Sequence, residues 1–107
     1  MQHKNNIVQF GDVAIKILSN SESLTVAEIA FPAGVAAAVH QHPHEEVNYV
    51  ARGTFDFMCD GKVSTLTVGE SIRIPPGLSH NITCHDEDGI VLSSWTPSRQ
   101  DLIAKLG

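Results

Sequence analysis

The sequence predicts an all-β domain, a sandwich or barrel of short strands, followed by one short helix. Three observations carry that expectation. Strand-forming residues occur in short runs, at 13–18, 24–31, 46–52, 54–59, 62–67, 71–74, 80–84 and 90–96, with the length and the β-branched or aromatic enrichment of strands. Turn formers break the chain between runs, at a spacing of roughly 8–12 residues. The last residues change period: Leu102, Ile103 and Leu106 recur as they would on one face of a helix. At 107 residues the chain has room for a single core, so residues 1–107 are expected to form one domain.

The elements follow in order. The runs at 13–18 and 24–31 flank a Ser/Asn/Glu turn at 19–23, whose side chains favour local turn hydrogen bonds. After the break at Pro32 and Gly34, the stretch 34–53 is expected as strand, interrupted at Pro43. Alternate residues of a strand share a face. His40 and His42 therefore project together, and Glu46 joins them if the strand resumes after Pro43. The same parity places Asn48 and Val50 with Glu46, Ile82 and Cys84 with His80, and Ser93 with Trp95. Phe55 and Phe57 are expected in the core. Asp60-Gly61 is the strongest hairpin signal, because a two-residue type I′ turn needs positive φ at both positions. Gly69 and the run Pro75-Pro76-Gly77 punctuate the next strands. Thr96 is expected to cap a helix starting at Pro97, a favoured first position.

Composition narrows the function. The net charge is −5, whereas nucleic acid and anionic membranes select basic surfaces, so neither is expected as a partner. No apolar run reaches the roughly 18 residues of a membrane span. The N-terminus has no apolar signal region, and a cytoplasmic location is the expectation. Cys59 and Cys84 match no metal or redox spacing and are read as reduced thiols. His3 and His85 are read as solvated.

Two blocks stand out. Gly34-x5-His40-x-His42-x3-Glu46-x6-Gly53 is followed by Gly69-x5-Pro75-x-Gly77-x2-His80. Together they resemble the two signature motifs of the cupin superfamily, matching all nine fixed residues; the asparagine that often ends the second motif is replaced by Cys84. The resemblance implies a small β-barrel or jelly roll. It also implies one divalent metal held by His40, His42, Glu46 and His80. Imidazoles with one carboxylate suit Zn, Ni, Mn, Fe or Cu, and four protein ligands leave positions open for water or substrate. His44 and Glu45 lie off the ligand positions, and hydrogen bonding behind the ligands or solvation is expected of both.

A narrower resemblance covers His40–Val50, the run Ser71-Ile-Arg-Ile-Pro-Pro-Gly77 and the tail from Trp95 to Leu102. These are similar to KdgF-type cupins, which linearise unsaturated uronates in pectin and alginate breakdown. In that family an aspartate, an aromatic residue and an arginine act with the metal. By position the aromatic corresponds to Trp95 and the arginine to Arg99, while Ser93 stands where the aspartate would be. Serine is a poor base without an activating partner. The resemblance therefore implies a metal-dependent enzyme acting on a small anionic, sugar-acid-like substrate by Lewis-acid and proton-transfer chemistry. Arg99 would hold the substrate carboxylate, Trp95 would offer an apolar platform, and Asn48 would contact substrate or the backbone. Metal-bound water or Glu45 would move protons. An iron-dependent dioxygenase and a non-catalytic sensor are the alternatives. Cupins commonly dimerise, and the Val47/Tyr49 face is the expected homodimer contact.

Overall fold

The computed structural model describes residues 6–106; the expectations for His3 and the extreme N-terminus lie outside them. Nine strands and one helix are present among the described residues: β1 Ile7–Phe10, β2 Val13–Asn20, β3 Thr25–Phe31, β4 Glu45–Arg52, β5 Thr54–Cys59, β6 Lys62–Thr67, β7 Ser71–Ile74, β8 His80–Cys84, β9 Gly89–Thr96 and α1 Gln100–Ile103. All pairings between strands are antiparallel. Six strands form one sheet in the order β1-β2-β3-β9-β4-β7, and three form another in the order β6-β5-β8.

This arrangement corrects one expectation. The domain is all-β with a short C-terminal helix, but its two sheets do not close into a barrel. Closure needs a continuous hydrogen-bond ladder around the circumference, and the segment between β3 and β4 does not supply one. Its backbone pairs with β8 through two isolated bridges, Ala36 with Thr83 and His40 with His80. Its composition explains this. Three successive alanines have weak strand preference, and Pro32 and Pro43 offer no N–H to a ladder. His40 and His42 consequently lie outside any strand, contrary to the sequence reading.

The core forms between the inward faces of the two sheets. β3 alternates buried and half-buried residues along its whole length, as does β9 up to Trp95. Val50, Phe55, Phe57, Ile82, Cys84 and Val91 meet between the sheets, and the rings of Phe31 and Phe55 pack edge to face at 5.2 Å. The β5–β6 turn is formed by Asp60 and Gly61, with φ of 51° and 81°, as its residue pair requires. Gly89, at the start of β9, is needed for a different reason. A Cβ there would lie 2.4 Å from the Phe55 ring, so only glycine lets β9 approach β5 this closely.

Two elements differ from the sequence reading. β1 was not anticipated, because its four residues show no alternation beyond one buried position, Val8. The helix begins at Gln100 with Arg99 at its N-cap, not at Pro97. Thr96 stays in the β4–β9 ladder opposite Glu45, and a residue preceding proline is driven to extended backbone. Leu102 is buried, and Ile103 and Leu106 pack against the core. Both cysteines are free. Among the described residues no helix is long and apolar enough to cross a membrane.

Candidate metal centre

His40, His42, Glu46 and His80 come together from three elements. The backbones of His40 and His80 exchange hydrogen bonds, His40 N–H to His80 O at 3.0 Å and His80 N–H to His40 O at 2.9 Å. That bridge sets the two imidazoles 4.3 Å apart. The Gly77 N–H donates to His42 O at 2.9 Å, tying the His42 loop to the segment that leads into β8. Glu46 sits in β4 between Trp95 of β9 and Ile74 of β7. One ligand atom from each of the four side chains lies within 4.8 Å of all the others. The convergence therefore depends on a loop anchored to β8, not on strand parity.

The donor set fits a divalent cation. The Nδ1–H of His40 donates to Ala38 O at 2.9 Å, and that of His80 donates to Leu78 O at 2.8 Å. In each case the backbone bond selects the tautomer that leaves Nε2 with its lone pair, the usual support for a ligating histidine. His80 is 2% exposed, and its Nε2 has no hydrogen-bond partner. It lies 3.3 Å from Glu46 Oε1, out of line for a hydrogen bond. A buried nitrogen with an unused lone pair is rare in a folded protein, and a metal ion would satisfy it. The sequence-based expectation of a cluster able to coordinate one divalent transition metal is met.

Glu46 is 3% exposed and is held by its neighbours. Its Oε1 accepts from His42 Nε2 at 3.0 Å and from Trp95 Nε1 at 2.7 Å, and its Oε2 accepts from Asn48 Nδ2 at 2.7 Å. Ser93 Oγ donates in turn to Asn48 Oδ1 at 2.5 Å. Burial pushes the Glu46 carboxyl up, but His42, His80 and Asn48 outweigh it and hold it well below the usual carboxylate range. Glu46 is therefore an anion at any ordinary pH. Burial lowers His40, beyond what its bond to Ala38 restores, which favours the neutral, ligating form. Burial also pulls His80 down, yet the Glu46 carboxylate and the Leu78 carbonyl raise it above its ordinary value of 6.5.

A pH prediction follows. In the metal-free protein His80 keeps its proton up to a raised pKa, and that proton must leave before a metal binds. Metal affinity should fall as pH drops through that value and level off above it. Calorimetric titrations in two buffers of different ionisation enthalpy should reveal proton release on loading at pH values below it. A pH-independent affinity with no proton release overturns the assignment. The sign for metal-free stability is opposite: His80 contributes below its unfolded pKa, and the contribution is lost as pH rises through the raised value.

The other sequence candidates fall into two groups. Ser93 and Asn48 are fully buried and do not line the cavity next to the cluster; they stand behind Glu46. Trp95 and Arg99 do line it. The Arg99 guanidinium stacks on the Trp95 ring at 4.9 Å and is chelated by Asp101 through Nε at 2.9 Å and Nη2 at 2.8 Å. That pairing brings the Asp101 carboxyl down to about 2. His44 bonds Ser98 O at 3.2 Å and packs against the His42 ring at 5.1 Å, supporting a ligand from behind. Glu45 pairs with Arg73 on the outer surface, away from the cavity, and has no place in its proton transfers. His85 bonds Asp56 at 2.8 Å, so it is paired, not merely solvated.

The cavity has a volume of about 780 Å³. Sequence reasoning missed Asp101, Phe10, Gln41 and Lys105 in its lining. Asp101 was legible as an acid two residues from a candidate arginine at a helix start. Phe10 was not, since it belongs to the unanticipated β1.

The model of the cupin domain family matches residues 27–95. The chain is 25% identical over 97 residues to the pectin degradation protein KdgF of Dickeya dadantii, covering 89% of this chain and 88% of the relative. It is 30% identical over 76 residues to the dimethylsulfoniopropionate lyase DddQ of Ruegeria pomeroyi, covering 70% of this chain but 38% of that protein. The crystal structure of an RmlC-like cupin from Shewanella frigidimarina superposes with a TM-score of 0.85 at 31% identity, covering 92% of this chain and 88% of that one.

Proposed function

This chain belongs to the cupin domain family, and from that premise we propose that it is a metal-dependent enzyme acting on a small anionic substrate by Lewis-acid and proton-transfer chemistry. The observation that carries the proposal is the convergence of four ligand-capable side chains within 4.8 Å beside a cavity of about 780 Å³. The related KdgF and DddQ proteins are named for degradation and lyase activities, which fits an enzyme better than a passive binder.

A divalent metal held by His40, His42, Glu46 and His80 would supply Lewis-acid polarisation of a substrate oxygen and a bound water of lowered pKa. The chain's own residues do the rest. Asn48 orients the Glu46 carboxylate, and Ser93 orients Asn48, so these two act as positioning residues. Trp95 fixes Oε1 of the same carboxylate through its indole N–H and presents its ring face to Arg99. Arg99 uses two of its five N–H groups on Asp101, leaving three. Asp101 thus sets the orientation of the guanidinium while an edge remains to grip a substrate carboxylate. Val47 and Tyr49, exposed on the outer face of β4, are the face on which a second copy of the chain would pack; a monomer in sedimentation overturns that part.

The test has two stages. The purified protein should take up about one equivalent of a divalent transition metal, measured by elemental analysis, and His80→Ala should not. Unsaturated uronates are then the first substrates to assay, in wild type and in Ser93→Asp, which restores the aspartate of KdgF-type cupins. Turnover by either protein supports the uronate reaction. Inactivity of both removes it, and failure to take up metal removes the enzyme reading as a whole.

A further inference from the structure

The cavity beside the cluster is divided by chemistry, and the division follows the topology. Its polar side chains come from the 40–46 segment (His40, Gln41, His42 and Glu46) and from the chain after β9 (Arg99, Asp101 and Lys105), with one exception, the exposed Asp12 of the β1–β2 turn. The facing wall is Val13 and Ile15 of β2, Ile29 and Phe31 of β3, and Ile82 of β8. In the large sheet β3 and β2 lie on the far side of β9 from β4. The β2 and β3 part of the apolar wall therefore begins two strand spacings from Glu46, roughly 10 Å at the usual separation, while Ile82 lies two residues along β8 from His80.

Hydrogen-bonding capacity is scarce along that wall. None of its five side chains carries a donor or acceptor, and the backbones of β2 and β3 are engaged in ladders. At the polar end the acceptors are largely committed, while Arg99 keeps unpaired N–H groups for an anionic head. Glu46 already accepts three bonds, and Gln41 Oε1 accepts from Ser79. A substrate hydroxyl placed against Ile15 and Ile29 would give up water for nothing, whereas a methyl group or ring would leave water favourably.

From this lining we infer that the ligand is amphipathic: a carboxylate or 2-oxo acid head at the metal end, carried on an aliphatic or aromatic body instead of a polyhydroxylated one. Ile15 and Ile29 are its specificity-determining residues. The inference rests on the reading of the cluster as a metal centre that receives an anion, and it goes further by selecting the rest of the molecule.

Three probes that share one head group separate the two ideas: pyruvate, 4-methyl-2-oxopentanoate and 2-oxogluconate, titrated calorimetrically into the zinc-loaded full chain. The branched acid should bind at least tenfold more tightly than pyruvate, with a more negative heat-capacity change, and 2-oxogluconate should bind no more tightly than pyruvate. Ile29→Thr should erase the gain while leaving pyruvate affinity and zinc content unchanged. Should that variant not fold, Ala37→Leu, which narrows the cavity from the loop side, should also weaken the branched acid and spare pyruvate. Equal binding of all three acids, or preference for 2-oxogluconate, overturns the inference and leaves the metal-centre reading standing. Lack of zinc uptake, or of binding by any of the three, overturns both.

Discussion

Glu46→Gln is expected to weaken metal binding by roughly two orders of magnitude or more and to remove activity with it. The substitution keeps the shape of the side chain and changes its chemistry twice. It deletes the only anionic ligand of the four. It also sets an NH2 group against donors, whichever way the amide turns, because Oε1 faces His42 and Trp95 while Oε2 faces Asn48. One buried donor is left unmatched, at a cost of about 1–3 kcal/mol. Ser93→Ala should act through the same relay but more weakly, by about tenfold, because Asn48 loses only its own anchor. Competition against a chelator of known affinity measures both variants. An unchanged affinity in Glu46→Gln would remove Glu46 from the site, and equal losses in the two variants would remove the graded relay.

Gly89→Ala is expected to produce the largest loss of stability, about 3 kcal/mol, read as a fall in melting temperature on the order of 10 °C or more. The new methyl would lie 2.4 Å from one Phe55 carbon and 2.7 Å from another. Phe55 cannot swing away, since it is completely buried and its ring packs on Phe31. The Arg52 carbonyl, 3.0 Å from the same point, blocks a shift of β9 towards β4. Phe55→Leu alone should also destabilise, yet the double variant should be less unstable than the sum of the singles, since the second change removes the atoms in conflict. Additive losses, or a single-variant loss below about 1 kcal/mol, would sink this account of why glycine occupies the start of β9.

Much of the fold and the site can be read from residue patterns. Alternation within the runs that became β4, β5, β8 and β9 assigns Glu46, Asn48, Phe55, His80, Ser93 and Trp95 to the interior, because strand side chains have a period of two and only one face meets the core. The Asp60-Gly61 turn is equally local. The ligand set is legible through motif spacing, although no strand runs through His40 and His42. What brings His40 to His80 is a pair of backbone hydrogen bonds between segments forty residues apart, and what ties the His42 loop to the same segment is the bond from the Gly77 N–H, which no local pattern encodes. β1 and the helix start were obscured similarly: a four-residue edge strand carries little periodicity, and Thr96 was claimed by a ladder in preference to a cap.

The division has a physical basis. Local preference and motif spacing determined an all-β cupin domain, its inward-facing residues and the four groups able to hold a metal, since these depend on short-range geometry and side-chain chemistry. Tertiary structure decided that the sheets stay open, that Ser93 and Asn48 support Glu46 from behind, that Asp101 chelates Arg99, and that an apolar wall faces the metal end. Those outcomes depend on which distant segments meet, and on which partner each polar group finds once water has been excluded.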